Sequence, residues 1–230
     1  LNAKLHILAV SDIHERVVKL LKVKEAIERR RFTPNLVIVA GDLTYFKNVD
    51  IALRIVTKIR DLFKTTVFFV PGNCDPPDLL DVKEVGSEAL NLHRRVVSVG
   101  NYVFAGIGGS GVTPFYTMIE YTEQEFREFI EEIAVKKRQL QGELVMVTHQ
   151  PVHGFFDHVN GVNVGSRVFA ESIEYLKPLL WITGHIHEHS GWTRTNGTVI
   201  VHPGPLMRGY YAIITLEGSS VESVEIGRVE

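Results

Sequence analysis

Three short, mainly apolar runs in the first third of the chain, Leu5–Val10, Leu36–Ala40 and Thr66–Val70, constrain the fold more than any other feature. Each has the length of a buried strand. Between them lie two segments with helical spacing: Val17–Arg31, apolar at Val17, Leu20, Leu21, Val23 and Ile27, and Ile51–Phe63. Strand and helix thus alternate twice, which predicts βαβ units around a parallel sheet. Ligands of such sheets gather beyond the carboxyl ends of the strands. At those ends stand Asp12-x-His14, Gly41-Asp42 and Gly72-Asn73-Cys74-Asp75.

The remainder reads differently. Val96–Val99 and Tyr102–Ile107 form an expected hairpin around Gly100-Asn101. Glu123–Gln141 is a charged amphipathic helix, and Phe169–Leu176 a short helix stopped by Pro178. Leu144–Thr148 is a strand running into His149, and Leu179–Thr183 a strand running into Gly184-His185-x-His187. The tail reads as a meander: Gly191–Thr195, a turn at Asn196-Gly197, then Val199–His202, Tyr210–Leu216 and Val221–Ile226. Both ends contribute motifs, so residues 1–230 are expected to fold as a single α/β domain with two stacked sheets, helices outside and the site at one rim.

Composition narrows the partners. The net charge is −2 with the signs well mixed, whereas a nucleic-acid binder carries a basic face. The densest basic cluster, Arg29-Arg30-Arg31, closes a predicted helix, where cations complement the dipole. No run approaches the roughly 20 apolar residues of a membrane span. A lone cysteine, Cys74, excludes an internal disulfide, and with the first motif only about ten residues in, no removable signal peptide is expected. A cytoplasmic setting without nucleic acid or membrane is the expectation.

Asp12, His14, Asp42, Asn73, His149, His185 and His187 are all oxygen or imidazole donors, the types that hold divalent transition metals. Singly, each has an ordinary reading: Asp12 as the cap of the following helix, Asp42 and Asn73 as turn residues, His149 as a hydrogen-bonded strand end. The pair His185 and His187, two apart after a buried strand, is the hardest to explain structurally. Two such ions roughly 3.5–4 Å apart are a general device for attacking phosphate esters.

In order and spacing, the five blocks resemble the calcineurin-like metallophosphoesterase superfamily, whose pattern is D-x-H, G-D, G-N-H-[DE], H and G-H-x-H at successive strand ends. The match runs from Asp12 to His187. Gly106–Ser110, Asn163–Ser166, Gly184–Glu188 and His202-Pro203-Gly204 are similar to predicted phosphoesterases related to the cyclic-AMP phosphodiesterase Icc. The resemblance implies the metallo-dependent phosphatase fold, an αββα sandwich of two mixed sheets. It implies two divalent ions, manganese, iron, zinc or nickel. Asp12, His14 and His187 would hold the first, Asn73, His149 and His185 the second, and Asp42 would bridge them around a nucleophilic hydroxide. The implied substrate is a small phosphate ester, a diester or cyclic-nucleotide-like compound, with a phosphomonoesterase or a non-catalytic scaffold of the same fold as alternatives. A homo-oligomer is left open.

The chain departs from the pattern at Cys74, where the family has a His assigned to protonate the leaving oxygen. A thiol is a poor donor, so Cys74 is expected to be a weak general acid, with Asp75 keeping the acidic position that follows it. His153 or His202 are the candidate substitutes. Phe115, Tyr116, Tyr121, Phe155, Phe156 and His158 lie in loops near the site, where they can stack a ligand or simply pack.

Overall fold

The computed structural model describes residues 3–230. Along the chain, β1 (Lys4–Val10), α1 (Val17–Arg29), β2 (Leu36–Ala40), α2 (Val49–Phe63) and β3 (Thr66–Val70) form the expected alternation. Two short strands follow that the sequence reading did not foresee, β4 (Glu84–Val85) and β5 (Ala89–Asn91). The hairpin β6 (Val96–Val99) and β7 (Tyr102–Ile107) comes next, then a ribbon of β8 (Ser110–Gly111) with β9 (Glu120–Tyr121). After α3 (Glu123–Arg138) and β10 (Glu143–Thr148), a second ribbon pairs β11 (His158–Val159) with β12 (Val162–Asn163). The chain finishes with α4 (Arg167–Leu176), β13 (Leu180–Ile182), β14 (Gly191–Thr195), β15 (Thr198–His202), β16 (Tyr210–Glu217) and β17 (Ser220–Arg228).

Two mixed sheets stack face to face. The first has the order β17-β16-β1-β2-β3-β5-β4, the second β14-β15-β13-β10-β7-β6. Ile7, Ile38, Phe68, Phe104, Val145 and Ile182 fill the space between them. The outer face of the first sheet packs on α1 and α2 through Leu20, Val23, Val56 and Ile59. That of the second packs on α3 and α4 through Phe126, Ile130, Phe169 and Ile173. This is the αββα sandwich. It explains why β2 is buried at all five positions: a central parallel strand covered on both faces has no use for polar residues.

Local signals set the helix limits. Asn48 caps α2 by accepting from the Ile51 N–H, so the helix starts two residues before the expected Ile51. Thr122 and Glu125 form a reciprocal capping box on α3. Arg29 and Arg30 pair with Glu25 and Glu225 at the end of α1, as a solvated helix terminus should. No helix among the described residues is long and apolar enough to cross a membrane.

The tail is not a meander. β14 and β15 join the second sheet, β15 lying parallel to β13, whereas β16 crosses to pair antiparallel with β1 and β17 closes the first sheet. Pro203 and Pro205, which lack an N–H, end the ladder after β15, and the turn Leu206–Arg208 redirects the chain. β15 is buried at every position and needs cover on both faces, which an outer hairpin would not give.

Candidate metal centre

The carboxyl ends of β1, β2 and β3 in one sheet, and of β10 and β13 in the other, meet at a single rim. Asp12, His14, Asp42 and His187 each place one donor atom within 4.8 Å of the others, and Asp42, His149 and His185 form a second such group. His187 Nε2 lies 3.1 Å from Asp12 Oδ1 and 3.4 Å from His14 Nε2. Asp42 Oδ2 is 3.6 Å from His14 Nε2 and 3.3 Å from His149 Nε2. Asn73 Oδ1 is 2.9 Å from His149 Nε2. The seven side chains named from the sequence therefore converge, although Asp12 and His187 are 175 positions apart.

The convergence depends on unusual backbone. Asp12, His14, Asp42 and His185 all have left-handed φ, at 54°, 45°, 55° and 75°. Such conformations cost of order 1–3 kcal/mol for ordinary residues and persist where surrounding contacts enforce them. Here the N–H groups of Asp12, Ile13, His14 and Glu15 all donate to carbonyls of Gly41, Asp42 and Leu43, locking the first two loops together. Glycines precede three ligand positions because the loops touch. A Cβ on Gly41 would lie 2.3 Å from His149 Nδ1, one on Gly72 2.0 Å from Asp42 Oδ1, and one on Gly184 2.6 Å from the Ala40 carbonyl oxygen.

The hydrogen bonds behind the cluster decide what it presents. His149 Nδ1 donates to the Ala40 carbonyl at 2.7 Å, and His14 Nδ1 to the Thr44 carbonyl at 3.2 Å. A carbonyl only accepts, so each ring carries its proton on Nδ1 and turns the Nε2 lone pair inward. Asn73 Nδ2 donates to Thr117 Oγ1, which aims Oδ1 inward as well. Ser11 Oγ and the His185 N–H both donate to Asp12 Oδ2, leaving Oδ1 for the cluster, and Asp12 does not cap α1. Lone pairs of carboxylate, amide and imidazole thus face one another within a few ångströms. Only a proton or a cation between them relieves the repulsion, so the donor set fits divalent ions.

Titration behaviour follows. Burial raises the Asp12 pKa, but the His187 hydrogen bond and the fields of His149, His187 and His14 outweigh it and hold the carboxylate well below its usual range. Asp42 is likewise lowered against its burial, chiefly by His149. Burial depresses His149, yet the neighbouring Asp42 lifts it to about 9. Burial and the charge of His149 push His185 down to about 4. His187 is raised, despite burial, by Asp12.

Cys74 is 8% exposed, and its N–H donates to Asp42 Oδ1 at 2.9 Å. Burial, then Asp42, drive its thiol pKa upward, so it stays protonated. Asp75 lies fully buried behind the donors. Its carboxylate accepts from the N–H groups of Gly72, Leu43 and Thr44 and from the Thr44 hydroxyl, stitching the second and third loops together. Burial and Asp42 raise its pKa to about 7. His202 corrects one expectation: it is fully buried with Nε2 donating to the Ile186 carbonyl, so it braces the 184–187 loop from behind and is not a substitute acid. His153 faces Asp157 at 3.9 Å. Phe155 and Phe156 pack against the second sheet's outer core, whereas Phe115 and Tyr116 are exposed. Sequence reasoning missed Ser11, Thr44, Thr117 and Arg208, whose guanidinium donates to the His187 carbonyl. A serine, threonine or arginine beside a motif carries no signal of its own.

Comparison with known proteins gives the family and the fold. Residues 5–189 match the model of the family described as calcineurin-like phosphoesterase. An uncharacterized protein of Methanocaldococcus jannaschii is 29% identical over 206 residues, covering 86% of this chain and 88% of the relative. The crystal structure of TT1561 of Thermus thermophilus superposes with a TM-score of 0.72 at 18% identity, over 99% of this chain and all of that one. A dimetal phosphatase from Danio rerio gives a TM-score of 0.63 at 14% identity, over 98% of this chain and 99% of that one. At such identities the two structures share the fold. The family match spans most of the sequence, and the chain belongs to the calcineurin-like phosphoesterases.

Proposed function

We propose that this calcineurin-like phosphoesterase is a two-metal hydrolase of small phosphodiesters. The observation that carries the reading is Asp42, whose Oδ2 faces the inward Nε2 atoms of both His14 and His149. One carboxylate common to two imidazole sets is the arrangement a pair of ions needs. Asp12, His14 and His187 would hold one ion, and Asn73, His149 and His185 the other. When bound, divalent ions lower the pKa of a coordinated water and offset charge developing on phosphoryl oxygens.

The protein's own groups do the rest. The Ala40 and Thr44 carbonyls hold two imidazoles in the ligating tautomer, and Asp75 fixes the loops that carry Asp42 and Asn73. The Cys74 thiol, kept protonated by burial and Asp42, is a weak proton donor to a departing oxygen. Hydrolysis consumes one water and breaks one P–O ester bond, giving a monoester and an alcohol. The Icc-like blocks at Gly106–Ser110, Asn163–Ser166 and His202–Gly204 favour diesters over monoesters.

Protein stripped of metal and reloaded with manganese, nickel, zinc or iron is expected to turn over bis-(p-nitrophenyl) phosphate faster than p-nitrophenyl phosphate, and Asp42→Asn to abolish both. Absence of turnover with every metal would favour a scaffold, and a monoester preference would replace diesterase with monoesterase.

A further inference from the structure

Two clefts of different chemistry flank the donor cluster. One, of about 690 Å³, runs past His14, Glu15, Arg16, Tyr45, His187 and Met207 and holds a cation, the Arg16 guanidinium. The other, of about 440 Å³, opens beside His185 and is walled by Val112, Phe115, Val159, Val162, Val164 and Ile186. Val112, Phe115 and Val162 are 72%, 79% and 60% exposed, an unusual outlay of apolar surface beside a polar centre.

The second cleft holds no fixed charge. Neither of the loops that form it, residues 108–122 and 149–166, contains a lysine or arginine. Their acids are engaged elsewhere. Glu120 accepts from the backbone and hydroxyls of Thr113 and Thr117, and Asp157 from the N–H groups of Gly154 and Gly165. Gln150 is buried, and its amide accepts from the Gly111 N–H at 3.0 Å and donates to the Val164 carbonyl at 2.8 Å. It therefore ties the two loops together while its amide oxygen and nitrogen are both engaged.

The cleft is also fixed in relation to the cluster. Met118 and Ile119 N–H groups donate to the Asn73 carbonyl, and Thr117 holds the Asn73 side chain. His185 belongs at once to the donor cluster and to the cleft wall. The cleft and the donor cluster therefore share a wall, so a group attached to a phosphate at the rim can extend into the cleft.

We infer that this cleft receives an uncharged, apolar ester group of the substrate, an alkyl or aryl arm attached to the reacting phosphorus. The inference rests on the phosphoesterase reading and names the substrate class for it: a diester with one hydrophobic arm. A nucleoside polyphosphate or other polyanionic arm would find no counter-charge there. Apolar contact, at roughly 0.8 kcal/mol per buried methylene, supplies the selectivity.

The test is calorimetric titration of manganese-loaded protein with methylphosphonate, hexylphosphonate and 5-carboxypentylphosphonate, which share a headgroup and differ in the arm. Hexylphosphonate is expected to bind at least tenfold tighter than either of the others, and Val162→Lys to reverse the order of the hexyl and carboxypentyl ligands. Val162 lies in an exposed ribbon, so the variant is expected to fold. Equal binding of methyl and hexyl ligands, or tighter binding of the carboxylate in unmodified protein, overturns the inference and leaves the phosphoesterase reading standing. If no phosphonate binds, the phosphoesterase reading falls. In that case N-phenyl-1-naphthylamine fluorescence that rises with the protein and is lost in Val162→Lys upholds the apolar cleft, and its absence removes that too.

Discussion

The donor cluster divides about Asp42, and the contrast in enclosure lies between His149 with Asn73 on one side and His187 on the other, since His185 is half-buried at a cleft wall and Asp12 and His14 are buried. Around His149 the structure is shut: His149 is 0% exposed and Asn73 3%, and each is held from behind, by the Ala40 carbonyl and by Thr117. Around His187 it is open: that side chain is 27% exposed, its ring held by Asp12 and its backbone by Arg208. Similar donors thus serve in two settings, one continuous with the core and one at the surface. A cation held in the shut half would be enclosed by the packing, whereas one held in the open half would face solvent.

The strongest challenge to this contrast is Asp42→Asn, which alters the atom common to both halves. Steady-state turnover of bis-(p-nitrophenyl) phosphate should fall by at least roughly a thousandfold, beyond the 10–100-fold usual for groups outside the ligand set. A loss confined to one bound ion, measured by elemental analysis, would mean the halves do not share it.

Next come His149→Ala and His187→Ala, compared side by side. Each should lose one ion. Only His149→Ala should also lower metal-free stability, by about 1–3 kcal/mol, because it leaves the buried Ala40 carbonyl without a donor. Urea unfolding of both variants decides it, and a larger effect at His187 would invert the contrast.

The shut half also has a pH signature. With His149 raised from 6.5 to about 9, the native state binds a proton more tightly than the unfolded chain across that window. The stabilisation is complete below 6.5 and is lost as pH rises through about 9. Metal affinity should move the opposite way, since an ion displaces that proton. Unfolding of metal-free protein and manganese calorimetry across that window test both slopes, and His149→Ala should flatten each.

The smallest expected effect is at Cys74. Cys74→His should change aryl diester turnover by a few fold while narrowing the gap between aryl and alkyl esters, because imidazole donates a proton more readily than this thiol. An unchanged leaving-group dependence would show that residue 74 is not the proton donor.

How much of this was written in the sequence depends on range. The strands before Asp12, Asp42 and Asn73 were plain because a doubly covered parallel strand must be apolar throughout, as Leu36–Ala40 is. The donors were legible because their types and order recur together. Strands β4 and β5, two and three residues long, carry too little pattern to stand out. The destination of β16 was hidden because hydrophobic period specifies a strand but not its partner, here β1. The left-handed φ values at Asp12, His14, Asp42 and His185 were equally invisible, since tertiary hydrogen bonds impose them. Gln150 could be read only once Gly111 and Val164 were seen on either side of it.

The placement of β1 between β2 and β16 has a bearing on how the molecule is made. During synthesis, β1 can pair with β2 as soon as the first βαβ unit leaves the ribosome. Its other edge, from Lys4 to Ala9, has no native partner until Tyr210–Glu217 has been translated. A nascent chain therefore carries a bare apolar strand edge for most of its elongation, the kind of edge that recruits other chains. Asp12 sits at the end of that strand, so the centre is anchored on a strand whose second edge is covered only by β16.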